Sequence, residues 1–187
     1  MSSMSSPNKT TYEAATPAIA TEPRDRRGVA LAIAAAVVIL DRITKRIVVQ
    51  QLPNGQAHTV IPGIFRITDV HNTGAAFSMF AESASPSTVR NILIAFSVIA
   101  VVVLLGMLWR AGRVLSVSSV ALALILGGAF GNLYDRVRYS YVVDFLEVHI
   151  GNYHWPDFNV ADSCIVIGAC LLLIEIFRPQ PADHAAS

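Results

Sequence analysis

The sequence predicts an all-α integral-membrane domain of four transmembrane helices, with short β segments in its outer connections. Hydrophobic residues make up 53% of the 187 and charged residues only 14%, and the mean hydropathy is +0.53, well away from an ordinary soluble domain. The apolar residues fall in discrete runs, each close to the roughly 20 residues a helix needs to cross a bilayer. A formal net charge of +1 supplies no electrostatic footprint for DNA or RNA, so no nucleic-acid partner is expected.

Residues 1–27 are rich in Ser, Thr, Ala and Pro and end in Arg24, Arg26 and Arg27. They cannot bury enough apolar surface to fold alone and read as a disordered tail. Gly28 to Leu40 is followed by Asp41-Arg42-Ile43-Thr44-Lys45-Arg46 and not by a small-residue cleavage site, so it stays as the first span, ending near Val49. Further spans are expected at Asn91–Trp109, Val114–Leu133 and Val160–Phe177, with a short tail at 179–187. Arg24, Arg26 and Arg27 precede the first span, Arg110 and Arg113 join the second to the third, and Arg178 follows the fourth. That distribution puts both termini in the cytoplasm. The longer connections, Gln50 to Arg90 and Tyr134 to Asn159, then lie outside, although they hold Arg66, Arg90, Arg136 and Arg138. Cys164 and Cys170 point to roughly opposite sides of the last helix and cannot pair with each other.

The outer side carries the chemistry-bearing residues. Leu52-Pro53-Asn54-Gly55 is a turn signal and Ile64 to His71 a short strand. In His71-Asn72-Thr73-Gly74-Ala75-Ala76-Phe77-Ser78, Asn72 offers a donor and an acceptor to a peptide backbone, and Gly74 permits close approach. A plain Asn/Gly turn accounts for the same residues. The third span ends in Gly127-Gly128-Ala129-Phe130-Gly131-Asn132-Leu133-Tyr134-Asp135-Arg136. Gly127 and Gly131 form a small-residue stripe, and Asn132, Asp135 and Arg136 share the inward side. The competing reading is an Asp135–Arg136 ion pair with interfacial snorkelling.

Tyr141 to Val148 alternates as a strand that sets Asp144 on the face of Val142, Leu146 and Val148. Loss of water there favours a held proton, whereas an edge strand would turn the acid to solvent. Phe158-Asn159-Val160-Ala161-Asp162 is a helix start with Asn159 as N-cap. Capping alone accounts for Asn159 and Asp162, yet the helix dipole at that place also suits a carboxylate. Two acids in contrasted surroundings are what an acid/base pair requires. Asp41 and Lys45, four apart at the outer end of the first span, either pair along the helix or face the bundle.

In order and spacing, five blocks resemble the lipoprotein signal peptidase family, also called signal peptidase II, the intramembrane aspartyl peptidases of bacteria. They are Asp41 to Lys45, Asn72 to Ser78, Gly127 to Arg136, Val142 to Phe145 and Phe158 to Asp162, within a match running from Gly28 to Phe177. The resemblance implies a four-helix enzyme of the bacterial cytoplasmic (inner) membrane, active as a monomer, with a small β-sheet cradle on its extracytoplasmic face. Its substrates would be lipidated prolipoproteins, held with membrane lipid and cut just before a diacylglyceryl-modified cysteine. Asp144 and Asp162 match the catalytic dyad. Asp41, Lys45, Asn72, Gly74, Asn132, Asp135, Arg136, Asn159 and Ala161 match positions that shape the site or hold the substrate, Asn72 and Arg136 being associated with peptide and with the inhibitor globomycin. No metal and no organic cofactor is implied. Two rivals remain: a Ser/Lys peptidase using Ser78 with Lys45, and a non-enzymatic four-helix proton or solute carrier in which the two acids form a relay.

Overall fold

The structure, a computed structural model, describes residues 25–52, 56–74 and 85–178. The turn expected at Pro53-Asn54-Gly55, the stretch from Ala75 that includes Ser78, and nearly all of both expected tails lie outside the described residues. Within them the chain is mostly helical with one small antiparallel sheet. The elements are α1 (Arg27–Gln51), β1 (Ala57–Ile61), β2 (Phe65–Asn72), α2 (Pro86–Ala111), α3 (Val117–Tyr139), β3 (Val142–Ile150), β4 (Tyr153–Phe158) and α4 (Val160–Ile176). The sheet order is β1-β2-β3-β4.

Local chemistry fixes the helix starts. Ser85 accepts a hydrogen bond from the Thr88 N–H ahead of a first-turn proline, and Ser116 with Ser119 forms a reciprocal capping box, as does Asn159 with Asp162. These caps correct two expected boundaries. The second span begins at Pro86, so Arg90 is helical; the third runs from Val117 to Tyr139, so Tyr134, Asp135 and Arg136 extend a helix and do not open the outer connection.

Helices α2 and α3 are each long and apolar enough to cross a membrane. Helix α1 carries Asp41, Arg42, Lys45 and Arg46 in its second half, and α4 is 17 residues long; neither meets the same measure. On α2, Phe96 is 71% exposed and Ile99 63%, with Ile92 and Val102 exposed beside them, more apolar surface on one helix than monomeric soluble proteins commonly show. The packed centre lies between α1, α2 and α3, where Ala30, Ala34, Leu108, Leu122, Ala123 and Leu126 are buried together.

Glycine lets the helices of the site approach. A side chain at Gly127 would meet the Ala34 carbonyl of α1, and one at Gly128 would overlap the Ala161 carbonyl of α4. The small-residue stripe is therefore a packing device on two sides of α3. Gly128→Ala should lower stability by about 1–3 kcal/mol through overpacking, read as an earlier thermal unfolding transition in detergent. An unchanged transition would contradict so close a contact.

Strand β3 lies between β2 and β4, and its first four residues are buried. The edge-strand reading of Asp144 is thereby corrected. The edges are β1, exposed along its length, and β4, which contains Pro156, a residue that only an edge or bulge accommodates.

Candidate functional site

The site forms where α1, α3 and the start of α4 meet β2 and β3. Its acids come from two elements that the sequence alone cannot bring together: Asp144 from the centre of the sheet and Asp162 from the first turn of α4. Amide side chains join them. Asn159 Nδ2 donates to Asp144 Oδ1 at 2.7 Å, while the Asn159 backbone N–H donates to Asp162 Oδ2 at 3.2 Å. Asn72 Nδ2 donates to Asp144 Oδ2 at 2.9 Å, and Asn132 Nδ2 to Asp162 Oδ1 at 2.7 Å. All four carboxyl oxygens thus hold one N–H donor each, which fixes both groups in orientation.

The supporting residues have visible tasks. The Gly74 N–H donates to Asn72 Oδ1 at 2.8 Å, turning the Asn72 amide nitrogen toward Asp144. Gly74 has φ +84, the left-handed backbone that favours glycine, and a side chain there would also press on the movable end of Leu93. Asn159 caps α4 by accepting from the Asp162 N–H at 2.9 Å while its amide nitrogen faces Asp144. One side chain therefore both caps the helix and faces Asp144. Ala161 contributes its backbone: its N–H donates to Asp41 Oδ1 at 3.1 Å, and its fully buried methyl leaves room for Gly131.

Beneath the acids lies a buried ionic cluster. Lys45, 1% exposed, places Nζ 2.9 Å from Asp41 Oδ2, 2.7 Å from Asp135 Oδ2 and 3.1 Å from Asn132 Oδ1. The Asp41–Lys45 pair along α1 and the inward-facing arrangement are therefore both present. Asp135 pairs with Lys45 and with Arg42, not with its sequence neighbour Arg136, because adjacent helical residues do not face each other. Arg136 instead reaches back along its own helix, Nη1 to the Asn132 carbonyl at 3.4 Å, with its charge near Asp162 and Asp144.

Arg42 joins this cluster from the side of α1. It spans from Asp135 to the ring of Tyr134, with Cζ 4.7 Å from the centroid. Its signal in the sequence was an arginine one step round the helix from Asp41. A cavity of about 670 Å³ beside it is lined by Val38, Arg42, Phe130, Tyr134, Tyr139 and Val143 among others, but by neither acid. It is a groove bordered by α1, α3 and the start of β3, and Lys45 of the ionic cluster also lines it.

Burial raises the Asp144 carboxyl to about 6, and the Asp162 charge adds to the rise, while the Asn72 and Asn159 hydrogen bonds and Lys45 pull the other way. Since this folded value exceeds the ordinary 3.8, the folded state binds the proton more tightly than the unfolded chain. The stability it contributes is fully present below the unfolded value and is lost as pH rises through 6, about 3 kcal/mol for the whole shift. Thermal unfolding of the wild type should therefore move to lower temperature as pH rises through that window, relative to Asp144→Asn. Parallel pH profiles would contradict a buried, proton-holding Asp144.

Comparison with known proteins gives one consistent result. Residues 33–178 match the family model described as signal peptidase (SPase) II. The chain is similar to the lipoprotein signal peptidase of Solibacter usitatus, 43% identical over 156 residues that cover 83% of this chain and 94% of that protein. It is also similar to the lipoprotein signal peptidase of Alteromonas mediterranea, 46% identical over 146 residues, 78% of this chain and 79% of that one. Among solved structures, a bacterial membrane enzyme determined by the in meso method at 1.9 Å superposes with a TM-score of 0.74 at 31% identity, covering 85% of this chain and 99% of that one.

Proposed function

The chain belongs to the signal peptidase II family, peptidases that remove signal peptides from prolipoproteins, and we propose that Asp144 and Asp162 perform the hydrolysis here. The single observation that carries this reading is the shared amide frame: Asn159 donates to both acids, and Asn132 accepts from Asn159 while donating to Asp162. Two carboxyls held so close cannot both ionise freely, so the pair holds one proton and a water between its members. One carboxylate takes a proton from that water as it attacks the scissile carbonyl carbon. The other polarises the carbonyl oxygen, and the pair then protonates the leaving nitrogen as the C–N bond breaks. No covalent intermediate forms on the enzyme.

The unit doing this is residues 28–178, acting as a monomer with all four helices across the bacterial cytoplasmic membrane. Support for the orientation is geometric. The Arg26 N–H donates to the Arg113 carbonyl at 3.2 Å, and Arg27 Nε to the Trp109 carbonyl at 2.8 Å, so the start of α1 and the α2–α3 turn share one arginine-rich end, which faces the cytoplasm. The acids and the sheet are at the opposite, extracytoplasmic end. A diacylglyceryl group on the substrate cysteine, dissolved in the bilayer, sets the scissile bond at the depth of the acids and supplies positioning that a soluble protease draws from a cleft. In this role Asn72 and Arg136 contact the peptide, Gly74, Asn132 and Asn159 hold the acids, and Asp41, Lys45, Asp135 and Ala161 fix the helices that carry them.

The Ser/Lys alternative requires a lysine that reaches a serine hydroxyl, but Lys45 Nζ is turned to Asp41, Asp135 and Asn132 in a buried cluster. Purified protein should cleave a lipidated precursor and leave its unlipidated counterpart intact, and Ser78→Ala should retain that activity. Equal cleavage of both precursors would remove the lipid from the account, and loss with Ser78→Ala would revive the serine mechanism.

A further inference from the structure

Remote from any role given to the acid pair, the β3–β4 hairpin gathers a second set of ionisable side chains. Glu147 and His149 are two apart on β3 and so share a face; His149 pairs directly with His154 on β4. The register shifts between Leu146 and Val148, where β4 has one residue more than β3. In an unbroken strand His154 and Asp157 would point to opposite faces, but the bulge brings them to the same side, with His154 Nε2 3.8 Å from Asp157 Oδ1.

The convergence is close. Glu147 Oε1 is 2.9 Å from His149 Nε2 and 3.2 Å from His154 Nε2, and all three ligand-type atoms lie within 4.8 Å of one another. Tetrahedral zinc with nitrogen and oxygen ligands sets its donor atoms about 3.3 Å apart, so small side-chain rotations suffice. Arg66 Nε holds the other Glu147 oxygen, Oε2, at 2.7 Å, orienting the carboxylate while leaving Oε1 turned to the histidines. Asp157 Oδ1 is buried with no hydrogen-bond partner among the described residues. A cation would satisfy that oxygen.

The geometry points to a structural site for a divalent first-row transition ion of the zinc class, ligated by Glu147 Oε1, His149 Nε2 and His154 Nε2, with Asp157 closing the fourth position. Imidazole with carboxylate is a donor set that suits such ions. On binding, the proton that either histidine presents to Glu147 leaves Nε2, so the ion takes the place of those hydrogen bonds. The ion would clamp the proline-containing edge strand β4 to β3, the strand that carries Asp144.

The test uses the full chain in detergent, freed of metal by chelation, titrated with Co²⁺ and followed by visible absorption, with Zn²⁺ as competitor. The expected result is one Co²⁺ per chain with tetrahedral-type absorption, displaced by Zn²⁺. Affinity should weaken at least about tenfold in His149→Gln and in His154→Gln and be lost in the double variant. Both side chains are partly or largely exposed, so the variants should fold, which retained cleavage of a lipidated precursor verifies. Absence of stoichiometric binding, or affinity unchanged in the double variant, or loss of binding only in Asp144→Asn, would overturn the proposal.

Discussion

Asp144→Asn and Asp162→Asn should each reduce cleavage of a lipidated precursor by a factor of at least about 10³, within the range that loss of an acid/base group produces. Binding of the lipid-anchored precursor should survive, because the substitution keeps the shape, removing the ability to exchange a proton and one of the two acceptor oxygens. Asp144→Asn should stay folded, losing no more than about 1–3 kcal/mol for the one buried N–H donor, of Asn72 or Asn159, that it leaves without an acceptor. Reduced cleavage together with early unfolding would indicate a structural role. A purified Asp→Asn protein that cleaves within tenfold of the wild type would remove that residue from the chemistry.

The second large effect concerns the charges beneath the pair. Lys45→Met deletes the cation that sits between Asp41 and Asp135, both of which are fully buried. Arg42 still faces Asp135, but Asp41 keeps only the Ala161 N–H among its observed partners. Leaving one buried carboxylate uncompensated costs about 3–5 kcal/mol, a large share of the roughly 5–15 kcal/mol that holds an ordinary protein folded. Adding Asp41→Asn to Lys45→Met restores the charge balance and should recover a substantial part of the loss, measured by thermal unfolding in detergent. If the double variant is no more stable than Lys45→Met, packing and not charge governs the cluster.

Much of this arrangement is legible in the chain because a polar group at the end of an apolar run has few uses. Asn159 followed by Asp162 reads as a cap, and the structure retains the cap while using the same amide to hold Asp144. Gly127 and Gly131 read as a packing stripe, and α1 and α4 lie against that part of α3. The partner of Asp135 was hidden: Arg136 is adjacent in sequence, but helical geometry turns it away, and Lys45 and Arg42 arrive from another helix. Two strands were hidden as well. Every residue of β1 is exposed, so no apolar alternation marks it, and β4 carries Pro156, which argues against a strand until its edge position is known. The proximity of Asp144 and Asp162 depends on how the sheet docks on α4, and no local pattern encodes that.

The claim on which the mechanism rests is that the two aspartates act as one proton-sharing unit. Single-turnover cleavage of a lipidated precursor, with enzyme in excess, should be compared for wild type, Asp144→Asn, Asp162→Asn and the double variant. Groups that work as a unit lose everything with the first change, so the three variants should share one residual rate. A double variant slower than either single by the product of their separate losses would show two independent contributions and contradict the shared-water account.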